Sequence, residues 1–214
     1  MKIYLDFDDT IFDTESFVQE LIRIFRMAGF SEKDFYDNYE KAKEKAGGLD
    51  LDGIFNLFMQ QGDFDIRKTR RMMDNIFANA DVFVHDDFFD FAREFPKEDL
   101  AMLSYGATLS QREKIENSKI VAHFREIIIT DRGKEESFPD IVRKYPREEI
   151  FFVEDKADQI DRVKVVAPFV TAMKMERPGG RHREARSSSA DYVVHDFYEA
   201  AKIIRECEKR KMAP

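Results

Sequence analysis

The sequence predicts an α/β fold, in which a parallel sheet carries helices on both faces and an all-α segment is inserted after the first strand. Two patterns support this prediction. Beyond residue 80, short apolar runs rich in β-forming residues alternate with segments of helical period. Before that residue, one apolar run is followed by a long stretch of helical period alone. Strands joined through helices lie parallel in one sheet and are covered on both sides.

The stretch from residue 14 to residue 80 predicts a block of helices. Apolar side chains recur there at helix spacing, and no part of the stretch reads as a convincing strand. Gly47-Gly48 and Gly62 divide it into three or four helices, because glycine interrupts helical segments. Asp65 is a candidate N-cap for the last of them, since aspartate is favoured at that position.

The remaining elements follow from the alternation of short apolar runs with helical periods. We expect strands at 2–5, 100–103, 126–129, 150–153 and 169–172, and helices at 86–94, 109–117, 135–144, 159–166 and from 197 onward. Residues 1–13 and 81–214 are therefore assigned to the sheet domain, and residues 14–80 to a helical cap inserted into it.

Composition narrows the classes of function. Hydrophobic residues make up 43% and charged residues 36%, a balance that suits a globular chain and argues against disorder over most of it. The formal net charge of −8 argues against a general nucleic-acid binder, because such proteins hold phosphate backbones with clustered Lys and Arg. Cys207 is the only cysteine, which excludes an internal disulfide and favours a cytoplasmic location. No apolar run approaches the length of a membrane span.

Polar residues follow four of the predicted strands, and they are the first candidates for function. In an open parallel sheet, ligands bind beyond the carboxyl ends of the strands. The four ends offer carboxylates, hydroxyls, backbone amides and an amine: Asp6, Asp8 and Thr10; Ser104, Tyr105 and Gly106; Thr130, Asp131 and Lys134; and Glu154 with Asp155.

A phosphate group beside so many acids needs cations. At an effective dielectric constant near 20, two unit charges about 4 Å apart interact by roughly 4 kcal/mol, so a bare acidic site would repel a phosphate dianion. Mg²⁺ and Lys134 are the available sources of positive charge. Magnesium prefers oxygen ligands and keeps several waters, so Asp6, the backbone carbonyl of Asp8, and Asp155 are enough to hold it.

These residues resemble the motifs of the haloacid dehalogenase (HAD) superfamily. Residues 6–10, Asp-Phe-Asp-Asp-Thr, match its DxDxT motif, and Ser104 after a predicted strand matches its second motif. Lys134 fits the third motif, and Glu154-Asp155 fits the acidic fourth. The motifs occur in order over the whole chain. The resemblance implies a Rossmann-like core with the helical insertion as the family's α-helical cap.

The resemblance also implies a role for each residue. Asp6 is the nucleophile that forms an aspartyl-phosphate, and Asp8 is the general acid and base, with its pKa raised by neighbouring carboxylates. Lys134 neutralises charge in the transition state. The phosphoryl oxygens are bound by Ser104 and by amides around Tyr105 and Gly106, with Thr10 as a further substrate-binding residue.

Two departures from the family pattern affect the fourth and third motifs. The fourth lacks the usual spacing to a further aspartate, so Asp155 is the expected metal ligand, Glu154 its outer partner, and the role of Asp158 is open. It resembles the acidic-pair variant with an amide four residues on, here Gln159. Lys156 competes with Lys134 for the third-motif role, and the order of the motifs favours Lys134.

The resulting hypothesis is a Mg²⁺-dependent phosphomonoester hydrolase that acts on a small phosphorylated metabolite. A phosphomutase of the same fold and a non-catalytic binding or regulatory module are the alternatives, and the substrate and the oligomeric state are open. The four histidines lack a plausible metal spacing and are expected to be structural or exposed. The basic stretch 181–186 is expected to be a solvated loop, with contact to a remote phosphate as the alternative.

Overall fold

The computed structural model describes residues 1–46, 49–106 and 109–212, and its described strands form one parallel sheet. The strands are β1 (Lys2–Leu5), β2 (Leu100–Tyr105), β3 (Glu126–Thr130), β4 (Ile150–Glu154), β5 (Thr171–Met175) and β6 (Tyr192–Val194). They are ordered β3-β2-β1-β4-β5-β6, and every neighbouring pair is parallel. The strand that carries the first motif therefore lies in the interior of the sheet.

Helices precede or follow each strand along the chain. They are α1 (Thr14–Met27), α2 (Glu32–Ala46), α3 (Leu51–Met59), α4 (Ile66–Ala78), α5 (Asp86–Glu94), α6 (Leu109–Asn117), α7 (Phe138–Lys144), α8 (Ala157–Val166) and α9 (Phe197–Met212). A single turn of 3₁₀-helix at Lys134–Ser137 precedes α7. Within the described residues, no helix combines the length and the apolar character needed to cross a membrane.

Alternation along the buried strands directs side chains to both faces of the sheet. In β1, Tyr4 packs into an apolar cluster with Phe138 of α7 and Ile160 of α8. Its neighbours Ile3 and Leu5 point the other way, into a larger cluster that includes residues of α5, α6 and α9. The predicted α/β class, with helices on both faces of a parallel sheet, is confirmed.

The first four helices after β1, α1 to α4, which we call the helical block, share a core rich in phenylalanine. The rings of Phe25 in α1 and Phe58 in α3 stack with centroids 4.0 Å apart. Asp65 caps α4 as predicted, by accepting a hydrogen bond from the amide of Lys68. This core is continuous with the larger sheet cluster, so the division into a cap and a core stays a prediction. The predicted break at Gly47-Gly48 lies outside the described residues.

The predicted strands differ from the observed ones near the end of the sheet. Strand β5 runs from Thr171 to Met175, whereas the predicted strand was 169–172. The observed strand continues through Lys174, and lysine is a residue type that is rarely buried. The side chain of Lys174 is only 1% exposed, and its ammonium hydrogen-bonds to the carbonyl of His182. Strand β6 was not predicted, because three residues after a serine-rich turn are too few to carry a period.

A buried ion pair ties the region after β5 to two helices and to the first loop. Arg177 contacts both carboxylate oxygens of Asp87 in α5, at 2.6 and 3.0 Å, and also donates to the carbonyl of Thr10. Asp87 in turn accepts a hydrogen bond from the amide of Phe197 at the start of α9. One arginine therefore joins the loop after β1 to the helices that cover one face.

Asp87→Ala should destabilise the fold strongly. It leaves the buried guanidinium of Arg177 without its partner, a change that typically costs about 3–5 kcal/mol. Urea unfolding followed by circular dichroism measures the loss. Asp140→Ala is the matched control, because Asp140 forms an exposed pair with Arg143 and its loss should barely move the midpoint. Equal midpoints for the two variants would contradict the assignment.

Candidate active site

Three of the carboxylates predicted from the sequence, those of Asp6, Glu154 and Asp155, meet at the carboxyl ends of the two central strands. β1 and β4 are neighbours in the sheet, with Leu5 paired to Val153. Asp6 and Glu154, the next residues along each strand, are therefore brought side by side. Ligand oxygens of Asp6, Glu154 and Asp155 lie within 4.8 Å of one another, and all three residues are buried.

Lys134 enters this acidic cluster from the 3₁₀ turn after β3. Its ammonium contacts Oδ1 of Asp6 and Oε2 of Glu154, and its side chain is only 2% exposed. Its backbone amide donates to Oε1 of Gln159 in α8, at 3.3 Å. Asp6, Lys134 and Glu154 thus form one buried unit, and the amide side chain of the fourth motif helps to position the lysine.

The charges in this unit shift one another's proton affinity. Burial and the neighbouring Glu154 raise the pKa of Asp6 to about 6, although Lys134 opposes the rise. Burial lowers the pKa of Lys134, but Asp6 and Glu154 outweigh that effect, and the net pKa lies above its ordinary value. Lys134 therefore stays charged at neutral pH and favours the carboxylate form of Asp6.

Asp155 is the side chain in this cluster that best fits a metal ion. Among the described residues, neither of its carboxylate oxygens has a hydrogen-bond partner, although both are buried. Burial, followed by the charges of Glu154 and Asp6, raises its pKa well above the ordinary value. A bound divalent cation would compensate these buried oxygens, and oxygen donors are the ligands that Mg²⁺ prefers. Asp6 and the carbonyl of Asp8 are the other predicted ligands, and their role as ligands stays a prediction.

Among the described residues, Asp8 accepts hydrogen bonds from a separate set of donors. Its Oδ1 accepts from Lys114 Nζ at 2.5 Å and from the Thr14 hydroxyl at 2.9 Å, and its Oδ2 accepts from Gln111 at 2.7 Å. Burial alone raises the pKa of Asp8, but Lys114 and the other donors outweigh it, so the pKa lies well below its ordinary value. The expectation that neighbouring carboxylates raise this pKa was wrong, because a lysine is the nearest charge.

Sequence reasoning missed both Gln111 and Lys114. They lie on the inward face of α6 with Ile115, at helix spacing, and each is only 2% exposed. The ammonium of Lys114 lies 5.2–5.7 Å from the ring centroids of Phe7, Phe12 and Phe17. Two long polar residues on the same face as an apolar one were the available signal, because such a face normally packs against a core.

The predicted phosphate-binding residues lie close to these carboxylates. The Ser104 hydroxyl accepts a hydrogen bond from Gln111 at 3.1 Å, which links it to Asp8. The amide of Gly106, whose φ is 107°, donates to the carbonyl of Thr130. The Thr10 hydroxyl is buried and has no partner among the described atoms. The substrate-binding role of these residues stays a prediction.

An open cavity of about 370 Å³ lies between the helical block and these strand ends. Tyr105, after β2, is 38% exposed and forms part of its wall. The helical block contributes apolar, aromatic and charged side chains, and the sheet side contributes most of the cations. The described lining residues are Asp8, Thr14, Glu15, Phe17, Val18, Tyr36, Tyr39, Glu40, Lys43, Leu49, Tyr105, Gln111, Lys114, Lys156, Arg181 and His182.

The loop after β5 reaches into this cavity. Arg181 contacts Oδ2 of Asp9 through Nε at 2.8 Å and Nη2 at 2.6 Å, and Asp9 is buried with a left-handed φ of 57°. Burial and the nearby charges of Lys156 and Arg181 lower the pKa of His182 to about 4. Residues 181–186 are mostly exposed, in agreement with the predicted solvated loop, but Arg181 is paired with the buried Asp9 and His182 is partly buried at the cavity.

Mg²⁺ should stabilise the folded protein through Asp155. At ten times its dissociation constant, a ligand that binds only the folded state adds about 1.4 kcal/mol, which raises the melting temperature. Asp155→Asn should abolish the rise, whereas Asp158→Asn should keep it, because Asp158 is exposed and paired with Arg162. Calorimetric melting with Mg²⁺ or EDTA measures the shift. A full shift in Asp155→Asn would contradict the assigned metal site.

Comparison with known proteins gives matches of structure only. The sequence matches no protein-family profile and no curated protein. A protein from Burkholderia xenovorans LB400, described as a haloacid dehalogenase-like hydrolase, superposes with a TM-score of 0.71 at 18% identity, over 94% of this chain and 96% of that chain. A structure described as the HAD hydrolase YfnB from Bacillus subtilis bound to magnesium has a TM-score of 0.61 at 16% identity, over 95% of this chain and 97% of that chain.

A dehalogenase is also similar in structure. The L-2-haloacid dehalogenase from Xanthobacter autotrophicus superposes with a TM-score of 0.62 at 13% identity, over 95% of this chain and 98% of that chain. Each match covers nearly the whole of both chains, so the helical block and the sheet are matched together. At these identities the likeness is one of fold. The chain therefore has the fold of the HAD-like hydrolases.

Proposed function

We propose that this protein is a HAD-superfamily phosphomonoester hydrolase that binds Mg²⁺ and acts on a small phosphorylated metabolite. The observation that carries the proposal is the buried unit of Asp6, Lys134 and Glu154 beside the unpartnered oxygens of Asp155. It combines a nucleophilic carboxylate, a fixed cation and a set of metal ligands at the edge of the sheet where ligands bind. The order of the four motifs supports the same proposal.

In the proposed reaction, Asp6 attacks the phosphorus atom. Lys134 binds Oδ1 of Asp6, which leaves Oδ2 to form the new bond to phosphorus while the bond to the leaving oxygen breaks. The product is an aspartyl-phosphate, and attack by water on its phosphorus releases phosphate and restores Asp6. Mg²⁺ held by Asp6, Asp155 and the carbonyl of Asp8 would offset the negative charge of the phosphoryl group. Ser104 and Thr10 are the proposed hydroxyl contacts for its oxygens.

Asp8 suits the second half of this reaction. Three donors hold its carboxylate, and the lowered pKa keeps it ionised at neutral pH. An ionised carboxylate accepts a proton, so we assign Asp8 as the general base that activates the attacking water. In the first half, Asp8 can donate a proton to the leaving oxygen only after it has itself taken one up. Substrates whose leaving groups need no protonation should therefore react fastest.

We further propose that residues 14–80 act as a cap on a core of residues 1–13 and 81–214, in a cytoplasmic protein. The helical block supplies one side of the cavity through residues of α1 and α2. A cap of this kind encloses the substrate and excludes bulk water during the reaction.

A haloacid dehalogenase is the second candidate function. The ionised state of Asp8 favours it, because a displaced halide needs no proton from an acid. The structural likeness to dehalogenases is consistent with it. The DxDxT pattern favours the phosphatase, because dehalogenation has no alkoxide to protonate and no use for the second aspartate as an acid.

The deciding measurement is phosphate release from sugar phosphates, nucleotides and a chromogenic aryl phosphate, with Mg²⁺ or EDTA. We expect turnover in Mg²⁺, loss in EDTA, and loss in Asp6→Asn, with Asp140→Asn as the exposed control. Halide release from 2-haloacids by the wild type would instead support the dehalogenase. Transfer of phosphate to another position of the product without net release would support the mutase, and no turnover by folded protein would support a binding module.

Asp8→Asn should slow the second step more than the first. Without a base to activate the water, the aspartyl-phosphate forms faster than it is hydrolysed, and it accumulates on the protein. Acid quenching of a reaction with ³²P-labelled substrate, followed by gel filtration, measures the protein-bound label. Asp6→Asn should carry no label. The proposed role of Asp8 is wrong if Asp8→Asn turns over normally or binds no more label than the wild type.

A further inference from the structure

Three basic side chains form one wall of the cavity, which we call the Lys156 wall: Lys156, His182 and Arg181. Lys156 comes directly after Asp155, and the other two lie in the loop after β5. A ring nitrogen of His182 and carboxylate oxygens of Asp9 and Asp155 lie within 4.8 Å of one another, so the imidazole stands beside the partner of Arg181 and the residue before Lys156. The imidazole offers ring nitrogens that can take part in hydrogen bonds to a ligand.

Lys156 differs from the other two lysines of the site. Lys134 contacts Asp6 and Glu154, and Lys114 is paired with Asp8. Among the described residues, no carboxylate oxygen lies within 4.0 Å of the Lys156 ammonium. Its side chain lines the cavity beside the metal-ligand candidate Asp155. Lys156 is therefore a charged donor that faces the cavity with its hydrogen-bonding capacity available.

The charge in the cavity contrasts with that of the whole chain. Four cations and three carboxylates line it, whereas the chain carries a formal charge of −8. Two of these carboxylates have cations beside them, Asp8 at 2.5 Å from Lys114 and Glu40 at 3.6 Å from Lys43. Arg181 is paired with Asp9, which leaves Lys156 as the lining cation without a carboxylate oxygen within 4.0 Å among the described residues. Lys156 is therefore the cation available to an anionic ligand.

We propose that the Lys156 wall binds a second anionic group of the substrate, so that the natural substrate is a phosphomonoester that also carries a carboxylate or a second phosphate. This inference rests on the proposed phosphatase function. The transferred phosphate has its own cation at Asp6, where Lys134 is buried. Arg181 lies instead over Asp9 and interacts with Tyr39 of α2, so the wall extends from the metal ligands toward the helical block.

The test compares matched pairs of substrates that differ by one anionic group. Glycerol phosphate is compared with phosphoglycerate for a carboxylate, and a hexose monophosphate with the matching bisphosphate for a phosphate. For wild type in Mg²⁺, we expect kcat/KM to be about 10- to 100-fold higher for the richer member of one pair, the range that a charge-assisted hydrogen bond contributes. The pair with the larger ratio identifies which anion the wall accepts.

Variants test whether the Lys156 wall causes this ratio of kcat/KM between the two members of a pair. Lys156→Met should bring it close to one, and Lys156→Arg should keep part of it. His182→Gln, which leaves the Arg181–Asp9 pair intact, should lower it several-fold. Arg183→Ala is the matched control from the same loop, because its side chain is exposed, and it should keep the wild-type ratio. A ratio near one for wild type in both pairs, or an equal loss for both members in Lys156→Met, would overturn the proposal.

Direct binding separates this proposal from the proposed function. Titration calorimetry with Asp6→Asn measures the affinity for each member of a pair without turnover. Tighter binding of the richer member, lost when Lys156→Met is added, supports the wall even if wild type releases no phosphate. If Asp6→Asn binds both members of each pair equally and the wild type does hydrolyse phosphomonoesters, the Lys156 wall is rejected and the phosphatase function stands.

Discussion

The contact of one buried lysine with two carboxylates is the constraint on which the whole site depends. Asp6, Glu154 and Asp155 lie within a few ångströms of one another in a region closed to water, where like charges repel strongly. Among the described residues, Lys134 is the cation that contacts two of them, Asp6 and Glu154. Its position requires β3 to end beside β2, a 3₁₀ turn to bring the side chain inward, and Gln159 to fix its backbone. Several elements of the sheet therefore converge on one ammonium group.

Most of the fold could be predicted because its strands are short apolar runs separated by helical periods. The bounds of β1, α5 and α6 agree with the predicted ranges to the residue. Prediction failed where a local pattern was overridden by a distant partner. Lys174 is buried in β5 because its ammonium meets the carbonyl of His182, and no property of the strand's own sequence indicates such a partner.

The candidate site also contains residues that could be predicted from the sequence and residues that could not. Residues at strand ends could be identified, because parallel strands deliver their carboxyl ends to one edge whatever their exact register. The partners of Asp8 could not, since Lys114 and Gln111 reach it from a helix more than 100 residues along the chain. The ionisation of Asp8 depends on that helix, so the sequence around the motif predicted the residue and not its charge state.

The place of β1 in the sheet has a consequence for how the chain folds. Ile3 lies between Leu100 on one side and Phe151 on the other, so both of its partners are distant in sequence. Contacts between such distant segments form slowly, because closing a long loop costs entropy before any contact compensates it. The helical block can form locally within that loop, whereas β1 must wait for both neighbours. Until they arrive, an apolar strand with two unpaired edges is exposed to pairing with other chains.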